Sequence, residues 1–304
     1  MVRTPLRIAG IVLVFLVAAI VLATAVVYAA STVKLHHRYA LPTHSPFVAP
    51  TDPVAIARGE HLVKAIGKCA KCHGSDLSGA VFIDGGQAFG VFVAPNLTRG
   101  AGGLPSDWTD ADYELALRHG ITRDGHGLVF MPSKEMSSFS DEDLGALVAY
   151  LKHVPPVDHM PPATHLGPIA RMLFVAGQLP LIDADKIDQS APHKPAPPPG
   201  PTATYGAYIA NIGGCTGCHG PGLSGGHIPG TPANFKSPAN LTPAGIGSWT
   251  SADFMRALRE GVRPGGVQID TFMPWQYTRS MTDDEINAVF AYLKTVPSRP
   301  FGQR

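Results

Sequence analysis

The sequence predicts an all-α chain: one membrane-spanning helix, then two tandem copies of a single small helical unit. Three observations carry this expectation. Residues 8–30 form an apolar run without a charge, the segments 54–156 and 202–304 repeat one another motif for motif, and each copy carries helix caps and stops without a convincing alternating strand pattern. The organisation read from these is an anchor at 1–30, a tether at 31–53, a first domain at 54–156, a connector at 157–201 and a second domain at 202–304.

At about 1.5 Å per residue the apolar run reaches about 34 Å, enough to cross a bilayer. It exceeds the apolar core of about 7–15 residues usual in a cleaved signal peptide, so an uncleaved anchor is expected, although Val27-Tyr28-Ala29 leaves a cleavage point. Arg3 and Arg7 before the run are matched by Lys34 and Arg38 after it, so the positive-inside count leaves the orientation open. The tether carries Pro42, Pro46, Pro50 and Pro53 and reads as an extended spacer. Lys plus Arg of 24 against Asp plus Glu of 23 gives no support to nucleic-acid binding.

Each copy opens on a short helix candidate. In the first, residues 54–66 place Ile56, Leu62, Val63 and Ile66 on an apolar side and deliver the chain to Cys69-Ala70-Lys71-Cys72-His73. The same pattern recurs as Cys215-Thr216-Gly217-Cys218-His219, and the two pentapeptides hold all four cysteines. Cys-x-x-Cys-His is the attachment pattern of c-type haem. Its two sulfurs lie on one face of a helical turn and reach two vinyl groups of one porphyrin, with the histidine beneath the iron. Zinc, disulfide and thiol-redox readings compete. Zinc needs the pairs to converge, and the redox and disulfide readings give the histidine no role. Two covalently bound haems are expected, on Cys69, Cys72 and His73 and on Cys215, Cys218 and His219.

Further along, Asn96-Leu97-Thr98 answers Asn240-Leu241-Thr242, Trp108-Thr109-Asp110-Ala111-Asp112 answers Trp249-Thr250-Ser251-Ala252-Asp253, and Phe130-Met131-Pro132 answers Phe272-Met273-Pro274. Thr109 with Asp112 and Thr250 with Asp253 cap a helix that Gly120 or Gly261 ends. Ser140 with Asp143 and Thr282 with Glu285 read as capping boxes that open a last helix, stopped by Pro155 or Pro297. Its apolar face holds Leu144, Leu147, Val148 and Leu151, or Ile286, Val289, Phe290 and Leu293. In the connector, residues 166–182 are apolar and expected to pack on protein, while 192–201 form a polyproline-type spacer.

An electron-transfer haem needs a second axial ligand. Met131 and Met273 follow their histidines by 58 and 54 residues in the same Phe-Met-Pro context, which raises them above core fillers. Met136 and His126 are weaker candidates, each lacking a counterpart in the second copy. Arg118 and Arg259 are candidates to meet haem propionates or to lie exposed near a helix end, and Trp108 and Trp249 to donate to a propionate or simply to pack.

With these residues assembled, the chain resembles a membrane-anchored dihaem c-type cytochrome built from two class I-type domains. Asn-Leu-Thr, Trp-Thr-x-Ala-Asp, Ala-Leu-Arg-x-Gly, Met-Pro and Ala-Tyr-Leu-Lys look most like the cytochrome c subunits of bacterial membrane-bound alcohol, aldehyde and gluconate dehydrogenases. The resemblance implies haem on the Cys-x-x-Cys-His residues, a distal methionine at Met131 and Met273, and first and last helices that cross, with Gly59 or Gly206 against Tyr150 or Tyr292. Haem attachment outside the bacterial cytoplasmic membrane implies domains facing the periplasm. The implied function is electron relay rather than catalysis. Donors would be a dehydrogenase or quinol-oxidising complex, acceptors an oxidase or another cytochrome. A dihaem peroxidase or thiosulfate dehydrogenase is the alternative, and a peroxidase would need an iron that opens and an acid–base group above it.

Overall fold

With no charge and no helix breaker between residues 8 and 30, the first helix, α1, runs unbroken over Arg3–Leu35. The structure, a computed structural model, describes residues 3–42 and 47–304; Pro46 of the tether lies outside the described residues. Leu13, Phe15 and Leu22 on α1 are exposed. Among the described residues Arg7–Leu35 is the one helix long and apolar enough to cross a bilayer.

The stretch read as a free spacer is instead bound to the protein. Ser31 is fully buried. The Tyr39 N–H donates to the Gly125 carbonyl at 2.8 Å, its hydroxyl to Asp185 at 2.5 Å, and the Ala49 N–H to the Asp110 carboxylate at 2.9 Å. Its first five residues continue α1 to Leu35; the prolines beyond gave no sign of the partners that hold the stretch.

Helix α2 (Pro53–His61) starts on Asp52, whose carboxylate accepts from the Val54 and Ala55 N–H groups, and widens into a π turn over Leu62–Ile66. Helix α3 (Asp110–Glu114) has the expected Thr109–Asp112 capping box, continues as a π turn over Leu115–His119 and ends on left-handed Gly120. Helix α4 (Asp141–His153) buries Leu144, Leu147, Val148 and Leu151. Helix α5 (Pro168–Val175) lies in the connector. The second copy supplies α6 (Ala203–Ile212), α7 (Ser251–Glu260) and α8 (Asp283–Thr295), the last two with complete capping boxes.

Helices α2 and α4 cross where Gly59 meets a neighbour's backbone. A Cβ there would sit 1.8 Å from the Ala146 carbonyl oxygen and 2.9 Å from the Tyr150 Cβ. Gly206 does the same for α6 and α8, 1.8 Å from the Ala288 carbonyl oxygen. Both positions therefore need glycine. One continuous core joins the copies, from Leu62, Ile66, Leu144 and Leu147 to Ile209, Ile212, Ile286 and Leu293. The short turn Ser133–Met136 of the first copy packs on α6, and the turn Trp275–Thr278 of the second packs on the Leu62–Ile66 turn.

The all-α expectation needs one correction. Three antiparallel strands, β1 (Ala80–Asp84), β2 (Gly90–Ala94) and β3 (His165–Leu166), form a small sheet in the order β1-β2-β3, with Ala80 opposite Ala94 and Gly90 opposite Leu166. Phe92 of β2 shares a second core with Leu166, Ala170, Phe174, Leu181 and Ile182 of the connector. The apolar part of the connector thus packs on protein, as expected. The proline-rich part takes no regular helix or strand, and His193 within it pairs with Asp141.

The two copies are latched by a polar network at the start of α4 and α8. Arg58 donates to both Asp143 carboxylate oxygens, at 2.9 and 3.1 Å, and to Glu285 at 3.2 Å. His61 Nε2 meets Glu285 at 2.8 Å, and the Tyr208 hydroxyl donates to Asp143 at 2.7 Å. Burial pushes the Glu285 carboxyl up, but the hydrogen bonds from His61 and the Thr282 N–H, with the His61 and Arg58 charges, hold it below its ordinary value. A depressed carboxylate stabilises the fold above its unfolded value, about 4.3, and that contribution is lost as pH falls through the lower folded value. Melting temperature should therefore drop steeply below about pH 4 in the wild type and more shallowly in Glu285→Gln. Arg58→Ala, which removes the cation shared by two buried carboxylates, should destabilise by roughly 3 kcal/mol. Identical acid limbs in wild type and Glu285→Gln would remove the latch from this account.

Candidate functional site

Each Cys-x-x-Cys-His segment folds as one helical turn, Ala70–His73 in the first copy and Cys215–His219 in the second. His73 and His219 are buried. His73 Nδ1 lies 2.9 Å from the Pro95 carbonyl oxygen and His219 Nδ1 lies 2.7 Å from that of Ala239. An Nδ1–H donated to a carbonyl leaves Nε2 as the lone-pair nitrogen, the tautomer an iron ligand needs. Burial lowers both imidazole pKa values, against the opposing carbonyl hydrogen bond. Both rings are accordingly neutral and able to bind metal at neutral pH.

The orienting carbonyls are themselves held, which explains the repeated Asn-Leu-Thr. The Asn96 amide donates to the Val157 and His159 carbonyls at 2.9 and 3.0 Å, while its oxygen accepts the Thr98 N–H at 2.9 Å. Asn240 repeats this with the Arg299 carbonyl at 2.8 Å and the Thr242 N–H at 2.9 Å. The segment after the last helix thus clamps the loop that orients the histidine. The recurrence of Asn-Leu-Thr was visible in the sequence; its partners, 57 to 63 residues away, were not. Beyond each histidine the chain takes the left-handed region at Leu77 and Leu223, a matched strain of the kind that gathers at functional sites.

The cysteines sit in apolar surroundings. Cys69 and Cys215 pack against the shared core. Burial pushes the Cys69 thiol up to about 11 and also raises Cys72, Cys215 and Cys218. None of the four is in a disulfide. Raised thiols are the reverse of the depressed values a thiolate redox pair requires. Among the described residues the cysteines do not gather as a zinc site. The one cluster of three potential ligands, Glu114, His119 and His193, already receives the Arg118 guanidinium, 2.9 Å from Glu114 and 2.8 Å from His193 Nδ1.

Met131 and Met273 are half-buried and pack on the same core as Cys69 and Cys215. Met136 is buried beside the first attachment turn: a Cβ on Gly67 would lie 3.5 Å from Cys69 Sγ and 3.8 Å from Met136 Cε. His126 pairs with Arg38 of the tether and meets the His36 ring edge-on at 6.2 Å, at the end of α1.

Arg118 departs from the exposed reading, and both arginines have protein partners that the sequence did not show. Arg118 is 2 % exposed and binds Glu114 at 2.9 Å, Asp141 at 2.7 Å and the Phe139 carbonyl at 3.1 Å, which ties α3 to the start of α4. Arg259 donates to the Arg279 and Met281 carbonyls at 2.8 and 3.0 Å. A position near a helix end gave no hint of these long-range partners. Trp249 packs on the core. Trp108 keeps a buried indole N–H without a protein partner. With two thiols, an oriented imidazole and a thioether on the same core in each copy, and this unsatisfied donor in the first, the residues present fit a porphyrin bearing propionates.

The cytochrome c family model matches residues 56–155 and 203–297. The chain is 27 % identical over 292 residues to the cytochrome c subunit of a quinone alcohol dehydrogenase of Gluconobacter oxydans, covering 83 % of this chain and 57 % of that protein. It is 29 % identical over 272 residues to a diheme cytochrome c-type protein of Cereibacter sphaeroides, covering 80 % of this chain and 86 % of that one. A gluconate 2-dehydrogenase cytochrome c subunit of Pantoea cypripedii is 28 % identical over 283 residues, 82 % of this chain and 61 % of that protein. This chain thus spans less than two thirds of each of these two dehydrogenase subunits. The attachment pattern, the family match and the diheme relative together give two covalently bound haem c groups. With both copies matched over more than half its length, the chain belongs to the cytochrome c family.

Proposed function

We propose that this protein is a membrane-anchored dihaem relay that passes single electrons from a dehydrogenase or quinol-oxidising complex to a terminal oxidase or another cytochrome. The observation that carries this reading is the duplicated histidine geometry, in which each copy holds a neutral imidazole by an Nδ1–H···O=C hydrogen bond on a clamped loop. In this reading 54–156 and 202–304 are tandem class I-type domains. Cys69 and Cys72, and Cys215 and Cys218, hold the porphyrins; His73 with Met131 and His219 with Met273 close the irons. Haem supplies a one-electron couple at iron. The chain fixes ligand orientation, excludes water from the imidazoles and keeps the two attachment turns in register. Met131 and Met273, where they bind iron, would favour the ferrous state and keep small molecules out.

The anchor reading rests on α1 and its continuity with the body. Arg171 of α5 donates to Ser31 Oγ at 2.8 Å and lies 4.8 Å from the Tyr28 ring, and Lys34 lies 4.8 Å from the Phe174 ring. Cleavage near Tyr28 would cut a segment that the fold uses. The lipid bilayer is then a permanent partner. The haem domains face the periplasm, and tethering keeps them at high local concentration near membrane partners.

Stopped-flow mixing tests the relay. Fully reduced full-length protein should give two electrons per chain to a soluble ferric cytochrome, regain them from quinol-oxidising membranes, and consume no peroxide above a haem-free control. Peroxide consumed at enzymatic rates, with a haem that binds carbon monoxide, would make the protein an enzyme instead.

A further inference from the structure

The residue before each attachment turn adopts the left-handed region, Lys68 at φ +52° and Gly214 at φ +67°. Glycine takes this conformation freely, whereas a lysine there is strained. The strain at Lys68 accompanies a particular use of its side chain. Lys68 Nζ donates to the Ile66 carbonyl at 2.6 Å and, across the boundary between the copies, to the Gly213 carbonyl at 2.6 Å. Ile66 ends the first helix of one copy, and Gly213 directly follows the first helix of the other. The ammonium therefore bridges two helix C-termini, where the partial negative charge of unpaired carbonyls favours a cation.

The neighbouring positions show the same asymmetry. Lys71 corresponds to Gly217. Lys71 Nζ donates to the Phe272 carbonyl at 3.0 Å and lies 4.9 Å from its ring, immediately before Met273. Gly217 leaves room for a side chain of the other copy: a Cβ there would lie 2.9 Å from Glu135 Oε1. One attachment turn is thus cationic and reaches across, and the other is bare and receives.

Building on the dihaem relay proposed above, we propose that Lys68 is a positioning residue for electron exchange between the two haem sites. Its side chain ties the backbone entering one attachment turn to the backbone entering the other. Burial lowers the Lys68 pKa, whereas two carbonyl acceptors favour the protonated amine, whose charge would act on both haem sites. In that exchange one ferrous iron becomes ferric as the other ferric iron becomes ferrous, with no proton or group transferred. A cation held between the two attachment turns would favour the reduced form of each haem.

The test uses full-length haem-loaded protein with Lys68→Met, Lys68→Gly and Lys68→Arg. Lys68→Gly restores the residue type of the second copy, so it keeps the left-handed turn without strain while removing the staple. In Lys68→Met and Lys68→Gly, potentiometric titration should show both haems shifted by about tenfold towards the oxidised form, about 59 mV for one electron. Lys68→Arg should return both towards wild type. Independently of haem redox, amide hydrogen exchange at residues 213–217 should accelerate in Lys68→Met and Lys68→Gly. Unchanged potentials, a shift confined to one haem, or unchanged exchange at 213–217 would overturn the proposal. A wild-type chain carrying no haem would overturn the relay instead, and the exchange result would still report on the staple.

Discussion

A chain in which Cys69 and Cys72 are both alanine is expected to carry one covalently bound haem instead of two and to lose cooperative folding of residues 54–156. Cys69 and Ala70 pack on the shared core, the helices around them are short, and His73 sits buried with one nitrogen held by Pro95. Cys69 and Cys72 would hold the haem covalently, and without them only His73 and Met131 would be left to retain it. A small domain lacking its cofactor has too little core to offset its conformational entropy. The mirror change at Cys215 and Cys218 should leave the other haem. Haem per chain by alkaline pyridine spectrum, with a thermal melt, checks both. Two haems retained in the Cys69/Cys72 variant would show that the attachment assignment is wrong.

The second large effect concerns the distal side. Met131→Ala should open the first iron to carbon monoxide and lower its potential on the order of 100 mV or more, within the roughly 0.8 V that axial ligands span. Met273→Ala should do the same to the second iron and leave the first unchanged. Met136→Leu is the control. Met136 is fully buried near Cys69, so its loss should change stability slightly while both irons stay closed. Carbon monoxide binding in Met136→Leu, but not in Met131→Ala, would move the ligand from one methionine to the other.

The parts of this molecule that repeat were legible in the sequence. The attachment turns, the Thr109, Thr250 and Thr282 caps, and the glycine stops at 120 and 261 all form as local patterns dictate, because each depends on residues within a turn of itself. Ser140 is a partial success. It caps α4 through the Asp143 N–H, but the Asp143 carboxylate turns to Arg58 and Tyr208 instead of closing a box.

What stayed hidden belongs to one copy or lies between copies. The β1–β2 hairpin carries Val-Phe-Ile and Val-Phe-Val runs around Gly85-Gly86, but its counterpart in the second copy has no such runs, and the repeat suppressed the signal. The second core draws on Leu35, Phe92 and Leu181, segments far apart in sequence, so no local period could report it. Arg58 and Lys68 carried no local signal, and Arg118 read as a propionate partner or an exposed helix-end residue. Their partners at Glu285, Gly213 and Asp141 appear only once the chain has folded.

The most direct test is a potentiometric titration of the wild-type full-length protein, followed optically and repeated under carbon monoxide. Two electrons per chain, the far-red band of a ferric haem with methionine ligation on both irons, and an unchanged curve under carbon monoxide are the predicted result. One haem that lacks the band and binds carbon monoxide would contradict a closed two-haem relay.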